Sequence, residues 1–397
     1  MTGRAAFVWD DRLRAYDFGP GHPLAPVRQQ LTYRLVRDFH LLDSPNVDVL
    51  DPVEAADVAD ILRVHSPDFV DAVKLASHDL WSADPSRGLG TEDVPAFPGM
   101  HDASLHVAGA TMAAAAAVAS GSYVHGINIS GGLHHSHRGA ASGFCVYNDI
   151  AVAIAWLLDQ GFSRIAYVDV DVHHGDGVQN IFWSDPRVLT VSLHESGRTL
   201  FPGTGFPDEV GGRGAEGSAV NVALPAGTAD DKWLRAFEAV VPDVLEAFEP
   251  QIIFSQHGCD SHADDPLAHL ALSIDGQRRS YERVHELAHE LTDGRWIAVG
   301  GGGYEWVDVV PRAWTHLTAI ATGSPIAPES AIPEAFAGFV SQTMGRPAPG
   351  RMTDGRVPSL DPWDGRINPS DVYDRAIKAT RRAVYPHLGI ADDLHGM

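Results

Sequence analysis

The densest chemistry in the chain lies in Val168-Asp169-Val170-Asp171-Val172-His173-His174-Gly175-Asp176-Gly177. Alternate residues of an extended strand share a face, so Asp169, Asp171 and His173 are expected on one side and the three valines on the other. Two carboxylates and an imidazole at a strand end are costly to bury unless they are paired or hold a metal. A second cluster, Gly131-Gly132-Leu133-His134-His135, offers adjacent imidazoles for general acid–base work or for ligation. Asp169 and Asp176 can each orient one of them by fixing its tautomer. In a third, Gln256-His257-Gly258-Cys259-Asp260-Ser261-His262, Asp260 can join Asp171 and His173. Two carboxylates and one imidazole leave a coordination position open to water, as a catalytic metal requires. That donor set suits Zn2+, with Fe2+ or Co2+ also compatible.

Two further segments call for weighing. Gly300-Gly301-Gly302-Gly303-Tyr304 lacks the Lys-Ser/Thr of a phosphate-binding loop. Its glycines let the backbone pass close to a substrate and present Tyr304, whose hydroxyl can donate to a developing oxyanion. His285-Glu286-Leu287-Ala288-His289 matches the H-E-x-x-H pattern of zinc proteases. The apolar stripe of Val284, Leu287, Ala288 and Leu291 already gives this helix a core face, so a solvated or capped helix flank is expected for the two histidines.

These clusters need elements to hold them. Helical periodicity is expected over 26–40, 53–65, 67–77, 101–120, 149–160, 229–248, 277–292 and 307–321, with β-rich apolar runs at 126–130, 164–172, 188–194, 251–256 and 296–299. This βαβα order points to a parallel sheet covered by helices, with ligands at the carboxyl ends of the strands. The four chemical clusters fall in or directly behind such runs. The Gly- and Pro-rich stretches 84–99 and 197–227 are expected to be site-lining loops. Residues 323–369 read as an irregular extension ending in a helix over 371–384, so a domain at 1–321 and a C-terminal extension at 322–397, wrapped on the core, are expected.

Composition sets the outer bounds. The 397 residues are 44% hydrophobic and carry 29 basic against 52 acidic side chains, a formal charge of −23. That balance argues against a nucleic-acid or anionic-membrane surface, which needs clustered Lys and Arg. Two cysteines, Cys145 and Cys259, fit a reducing compartment. The longest apolar run, Ile150–Leu158, is far short of the ~20 residues that span a bilayer, and a cytoplasmic location is expected.

Taken together the motifs resemble the histone deacetylase family of zinc hydrolases, most nearly its bacterial acetoin-utilisation branch. The resemblance runs collinearly from about Phe18 to Leu317, through Gly21-His22-Pro23 with Pro26 and Arg28, then Gly131–Asp149, Val168–Val178, Val191–Gly205 and Arg295–Tyr304. It implies an α/β fold, a single three-layer α/β/α domain with a central parallel sheet. Asp171, His173 and Asp260 are implied as metal ligands, and His134 and His135 as the catalytic pair, backed by Asp169 and Asp176. Tyr304 is implied as the oxyanion donor. Gly143, Phe144, Phe201, Leu267 and Gly302 match the substrate channel, Asp93 a rim acid, and Arg28 and Cys145 an inner cavity. A structural K+ is implied at Asp169, Asp171, His173, Ser192 and Leu193. Leu267 replaces a methionine common in eukaryotic relatives, Pro98 an acid, and His137-Arg138 a pair of lysines. The substrate implied is an acetylated protein or peptide, an acyl-CoA synthetase among the candidates. Three rivals stand beside this: a polyamine deacetylase, a binuclear manganese ureohydrolase with the same Asp-x-Asp-x-His logic, and a non-catalytic acyl-lysine reader. The sequence leaves the oligomeric state open.

Overall fold

The computed structural model describes residues 3–360 and 362–391. Among them are eight strands: β1 (Ala5–Val8), β2 (Val47–Leu50), β3 (His125–Asn128), β4 (Ile165–Asp169), β5 (Val188–Glu195), β6 (Ala219–Leu224), β7 (Ile252–Gln256) and β8 (Trp296–Val299). They form one sheet in the order β2-β1-β3-β8-β7-β4-β5-β6, parallel throughout. The helices are α1 (Val27–Asp38), α2 (Val58–Ile61), α3 (Pro67–His78), α4 (Met100–Ala119), α5 (Asp149–Asp159), α6 (Asp176–Ile181), α7 (Asp230–Phe248), α8 (Ile274–Thr292), α9 (Val310–Ala321), α10 (Glu334–Met344) and α11 (Val372–Leu388).

Apart from the edge strand β2, the strands are buried along almost their whole length, as near-continuous apolar runs in a parallel sheet covered on both faces are. In β4, Ala166 and Val168 pack into one core with α7, α8, α9 and α11, while Ile165 and Tyr167 pack into a second with α3, α4 and α5. The expected three-layer α/β/α arrangement is therefore the one observed. Helix α4 is long and apolar enough to cross a membrane by composition, yet most of it is buried between β1, β3, α3 and α5.

Three strands were not expected. β1 and β2 are only four residues each, and β6 lies inside the stretch read as a site-lining loop. The expected helix at 53–65 shrinks to the single turn of α2, whereas α6 and α10 form where none was expected. The expected strand 164–172 stops at Asp169. The Asp169 carboxylate accepts from the Asp171 N–H, and the Asp171 carboxylate from the His173 N–H. Side chains that bond their own backbone two residues on offer it an alternative to the ladder, so Asp171 and His173 sit on the loop behind β4.

Beyond α9 the chain returns to the core. Phe336 and Val340 of α10 pack with Leu31 and Leu35 of α1. Helix α11 lies against α7 and β6, with the Thr380 hydroxyl donating to the Asn221 carbonyl and Arg381 to the Ala239 carbonyl and the Asp243 carboxylate.

Candidate active site

The loops behind β3, β8, β7 and β4 carry the four clusters, and these are four neighbouring strands at the centre of the sheet. Residues more than a hundred positions apart thus meet at one set of carboxyl strand ends, as expected for a parallel α/β sheet.

His134 and His135 stand with their Nε2 atoms 3.0 Å apart. His134 Nδ1 lies 2.7 Å from Asp169 Oδ2 and His135 Nδ1 2.6 Å from Asp176 Oδ1, all buried. With both Nδ1–H groups donating to carboxylates, each Nε2 is left with a lone pair, and one shared proton satisfies the close contact. The electrostatics say where it rests. Burial disfavours the His134 cation, but Asp169 and Asp171 outweigh it and push its pKa up to about 9. Burial and then the His134 charge pull His135 down to about 3, against the pull of Asp176. The surrounding carboxylates thus favour His134 over His135 as the holder of the shared proton.

Beside this pair Asp171, His173 and Asp260 converge, each with a ligand atom within 4.8 Å of the others. His173 Nδ1 is 3.1 Å from both Asp171 Oδ1 and Asp260 Oδ2. Three donors so spaced match ligands placed about 2.0–2.2 Å from one tetrahedral ion. A methyl group at Gly258 would lie 1.8 Å from Asp171 Oδ2 and one at Gly302 1.9 Å from Asp260 Oδ2, so the cradle exists only with glycine there. Burial and the Asp171 charge raise Asp260 to about 6. Burial opposes a charged His173, but Asp171 and Asp260 hold it well above the usual imidazole range. Two buried carboxylates competing for one cation are the electrostatics a metal relieves. The residues present therefore fit a divalent ion.

Tyr304 is half-buried beside the cleft, its ring 5.8 Å from that of Phe144, and burial pushes its hydroxyl well above the ordinary tyrosine range. Its N–H donates to Asp265 Oδ2 at 2.7 Å. Phe201, 45% exposed, covers His135 at 5.0 Å and His173 at 6.3 Å between ring centroids. Leu267 stands at the mouth, 37% exposed. Asp93 Oδ2 accepts from the Gly143 N–H at 2.7 Å, tying the 84–99 segment to the turn before Phe144. The inner end, lined by Leu133, His134, His135, Cys145, Gly301 and Tyr304, has a volume of about 20 Å³, room for roughly one water. Arg28 is buried behind the glycine run, donating to the Gly301 and Gly303 carbonyls, while the Cys145 thiol donates to the Gly143 carbonyl. Asp169 is in register with Ser192, whose hydroxyl meets His194 Nδ1, and Leu193 is the next residue of β5.

Four residues at the site had no role assigned from sequence. Gln256 Nε2 donates to Asp171 Oδ2 at 2.8 Å. Asp265 accepts from the backbone of both Leu267 and Tyr304. The Tyr16 hydroxyl donates to the Phe144 carbonyl and accepts from the Val146 N–H. His137, where the family resemblance implied a lysine, places Nε2 3.2 Å from the second oxygen of Asp176, which raises its pKa. Of these, Gln256 carried a local signal, since it opens the third cluster and ends an otherwise mostly apolar strand.

A buried histidine pair on separate carboxylates, next to a three-donor cluster on a parallel sheet, defines a hydrolase of the deacetylase type. The chain belongs to the histone deacetylase family, whose domain model matches residues 22–321. It is similar to the acetoin utilization protein AcuC of Bacillus subtilis (strain 168), 43% identical over 331 residues that cover 82% of this chain and 85% of that protein. The AcuC proteins of Staphylococcus aureus (strain MSSA476) and Staphylococcus xylosus are 38% and 35% identical, covering 82% and 84% of this chain and 83% and 86% of their own lengths.

Proposed function

We propose that this deacetylase hydrolyses the N-ε-acetyl amide of lysine in proteins or peptides. The carrying observation is the buried histidine pair, each imidazole on its own carboxylate and the two Nε2 atoms 3.0 Å apart, beside three metal-type donors. Asp171, His173 and Asp260 would hold Zn2+, with Fe2+ or Co2+ compatible. The ion, when bound, polarises the acyl carbonyl and acidifies a water.

The chain's own residues do the rest. His135, neutral on Asp176, takes the proton from the attacking water at Nε2 and returns it to the departing lysine amine. His134, charged on Asp169, supports the negative charge that builds at the acyl carbon's oxygen. Tyr304 donates its hydroxyl to that oxygen, a contact of the kind whose loss costs ~10²–10³ in rate. Phe144 and Phe201 flank the four lysine methylenes, each worth ~0.8 kcal/mol on burial, and Gly143, Gly302 and Leu267 leave the channel narrow. A neutral acetylated head enters such a channel, while a free ammonium is held back by its hydration. Asp93 would engage the substrate backbone at the rim. Asp169, Asp171, His173, Ser192 and Leu193 would hold a structural K+, and Arg28 and Cys145 would border the exit for acetate. The net charge of −23 favours basic segments around the modified lysine over nucleic acid. An acetylated acyl-CoA synthetase suits this reading.

The test is a panel of acetyl-lysine peptides, longer-acyl-lysine peptides and acetylpolyamines, each assayed with Zn2+, Fe2+ or Co2+ and with a chelator. Chelator-sensitive release of acetate from the acetyl-lysine peptides is the expected result. Preference for acetylpolyamines, or no hydrolysis with any metal, would overturn the reading.

A further inference from the structure

The H-E-x-x-H segment lies on the partly solvated flank of α8 that was expected, but its histidines meet a third, buried one. His285 and His289, four residues apart on α8, share one helix face, and their Nε2 atoms are 3.1 Å apart. The face they share is turned toward His125, the first residue of β3, with ring centroids 4.9 and 5.2 Å away. One ring nitrogen from each of the three lies within 4.8 Å of the others. His125 opens its strand, so the cluster sits at the amino ends of the sheet, across from the catalytic cleft.

His125 supplies an independent sign of a ligand. It is 4% exposed, and its Nδ1 lies 2.6 Å from the Ala321 carbonyl. A carbonyl can only accept, so Nδ1 carries the proton and Nε2 is a bare lone pair. That Nε2 is buried and has no hydrogen-bond partner. A buried acceptor left unmet is a net cost to the fold, and buried polar groups are nearly always satisfied. An imidazole whose far N–H is anchored on a backbone carbonyl, with the other nitrogen free, is the arrangement found in metal-binding histidines.

We propose that His125, His285 and His289 form a second metal site for a borderline divalent cation such as Zn2+. Two nitrogens bound to one tetrahedral zinc lie roughly 3.3 Å apart, close to the separation of the α8 pair, and three imidazoles suit Zn2+ or Co2+. His289 is exposed, so the fourth position faces solvent. Glu286 takes no part. It pairs with Arg279 at 3.7 Å and Arg283 at 3.4 Å on the outer face of α8, so the base that a protease of this pattern needs is turned away. The site binds rather than hydrolyses, tying the end of α8 to the start of β3 and, through Ala321, to the end of α9.

The experiment uses the full-length, tag-free chain, stripped with chelator and titrated with Zn2+ and Co2+, with metal content, visible Co2+ spectra and thermal unfolding as readouts. The wild type is expected to take two equivalents. His289→Ala, an exposed change that leaves the fold and the cleft intact, is expected to take one and to keep deacetylase activity once loaded. Asp171→Ala is expected to retain one equivalent with the spectrum of a histidine-rich Co2+ site and a metal-dependent rise in melting temperature. The double variant is expected to take none. Wild type saturating at one equivalent, or His289→Ala keeping two, would overturn the proposal. Loss of both ions in Asp171→Ala would equally sink it, since that is the behaviour of a binuclear cleft. His125→Gln gives the buried counterpart of the His289 result.

Discussion

At the scale of single residues, the site separates groups by what surrounds them. Tyr304→Phe keeps ring and packing but removes the donor, so turnover should fall ~10²–10³-fold with metal content unchanged; steady-state kinetics beside elemental analysis checks this. Asp171→Ala should lose the ion from the cleft, read by elemental analysis on the His289→Ala background. Ligation demands that His173 and Asp260 give up protons. Because burial and the Asp171 charge raise Asp260, and Asp171 and Asp260 raise His173, affinity for the ion should weaken as pH falls from neutral through about 6 and strengthen as it rises. Competition with a metal indicator across that range measures it, and affinity independent of pH would contradict the assignment. The residues behind these effects were mostly legible in the sequence, because aspartate and histidine are costly to bury without a purpose and here they cluster. Asp265, Tyr16 and His137 were not, since each acts through a contact made only once distant segments have folded together.

At the scale of elements, the fold was legible where strands were longer, as in β4, β5 and β7, or ran straight into a chemical cluster, as in β3 and β8. Four-residue strands such as β1 and β2 are too short to display a period, and β6 is embedded in glycine-rich sequence. Where β4 ends was hidden for another reason: the alternating Val-Asp pattern continues past Asp169, but the aspartates bond their own backbone and turn the chain. That turn, with the loops after β7 and β8, makes the cradle. Gly302→Ala should therefore drive Asp260 aside and abolish ion binding in the cleft while thermal stability changes little, and an unaltered metal affinity would show that the loop yields more easily than its contacts imply.

At the scale of the whole molecule, segments outside the matched region carry structure. Tyr385 of α11 is fully buried, with its hydroxyl 2.8 Å from Asp243 Oδ2 and its ring against the guanidinium of Arg381. Tyr385→Ala should cost about 3–5 kcal/mol, the usual range for removing a buried aromatic ring, read as a lower denaturant midpoint at unchanged slope. The C-terminal segment also reaches α8, where Asp354 meets His262 at 2.8 Å and the Ile274 N–H. Helix α10 was not legible, because it lies within sequence rich in Pro and Gly.

The bridge made by Tyr16 gives the boundary of a working unit a different meaning from the boundary of a family. The family model's match begins at His22, yet the hydroxyl that pins both ends of the Phe144 turn comes from six residues earlier. A chain trimmed to the matched region would keep every ligand and both catalytic histidines but lose β1 from between β2 and β3 as well as the Tyr16 tether on the Phe144 turn. The working unit thus includes residues before the matched region, because they supply both a strand of the sheet and the hydroxyl that fixes the Phe144 turn.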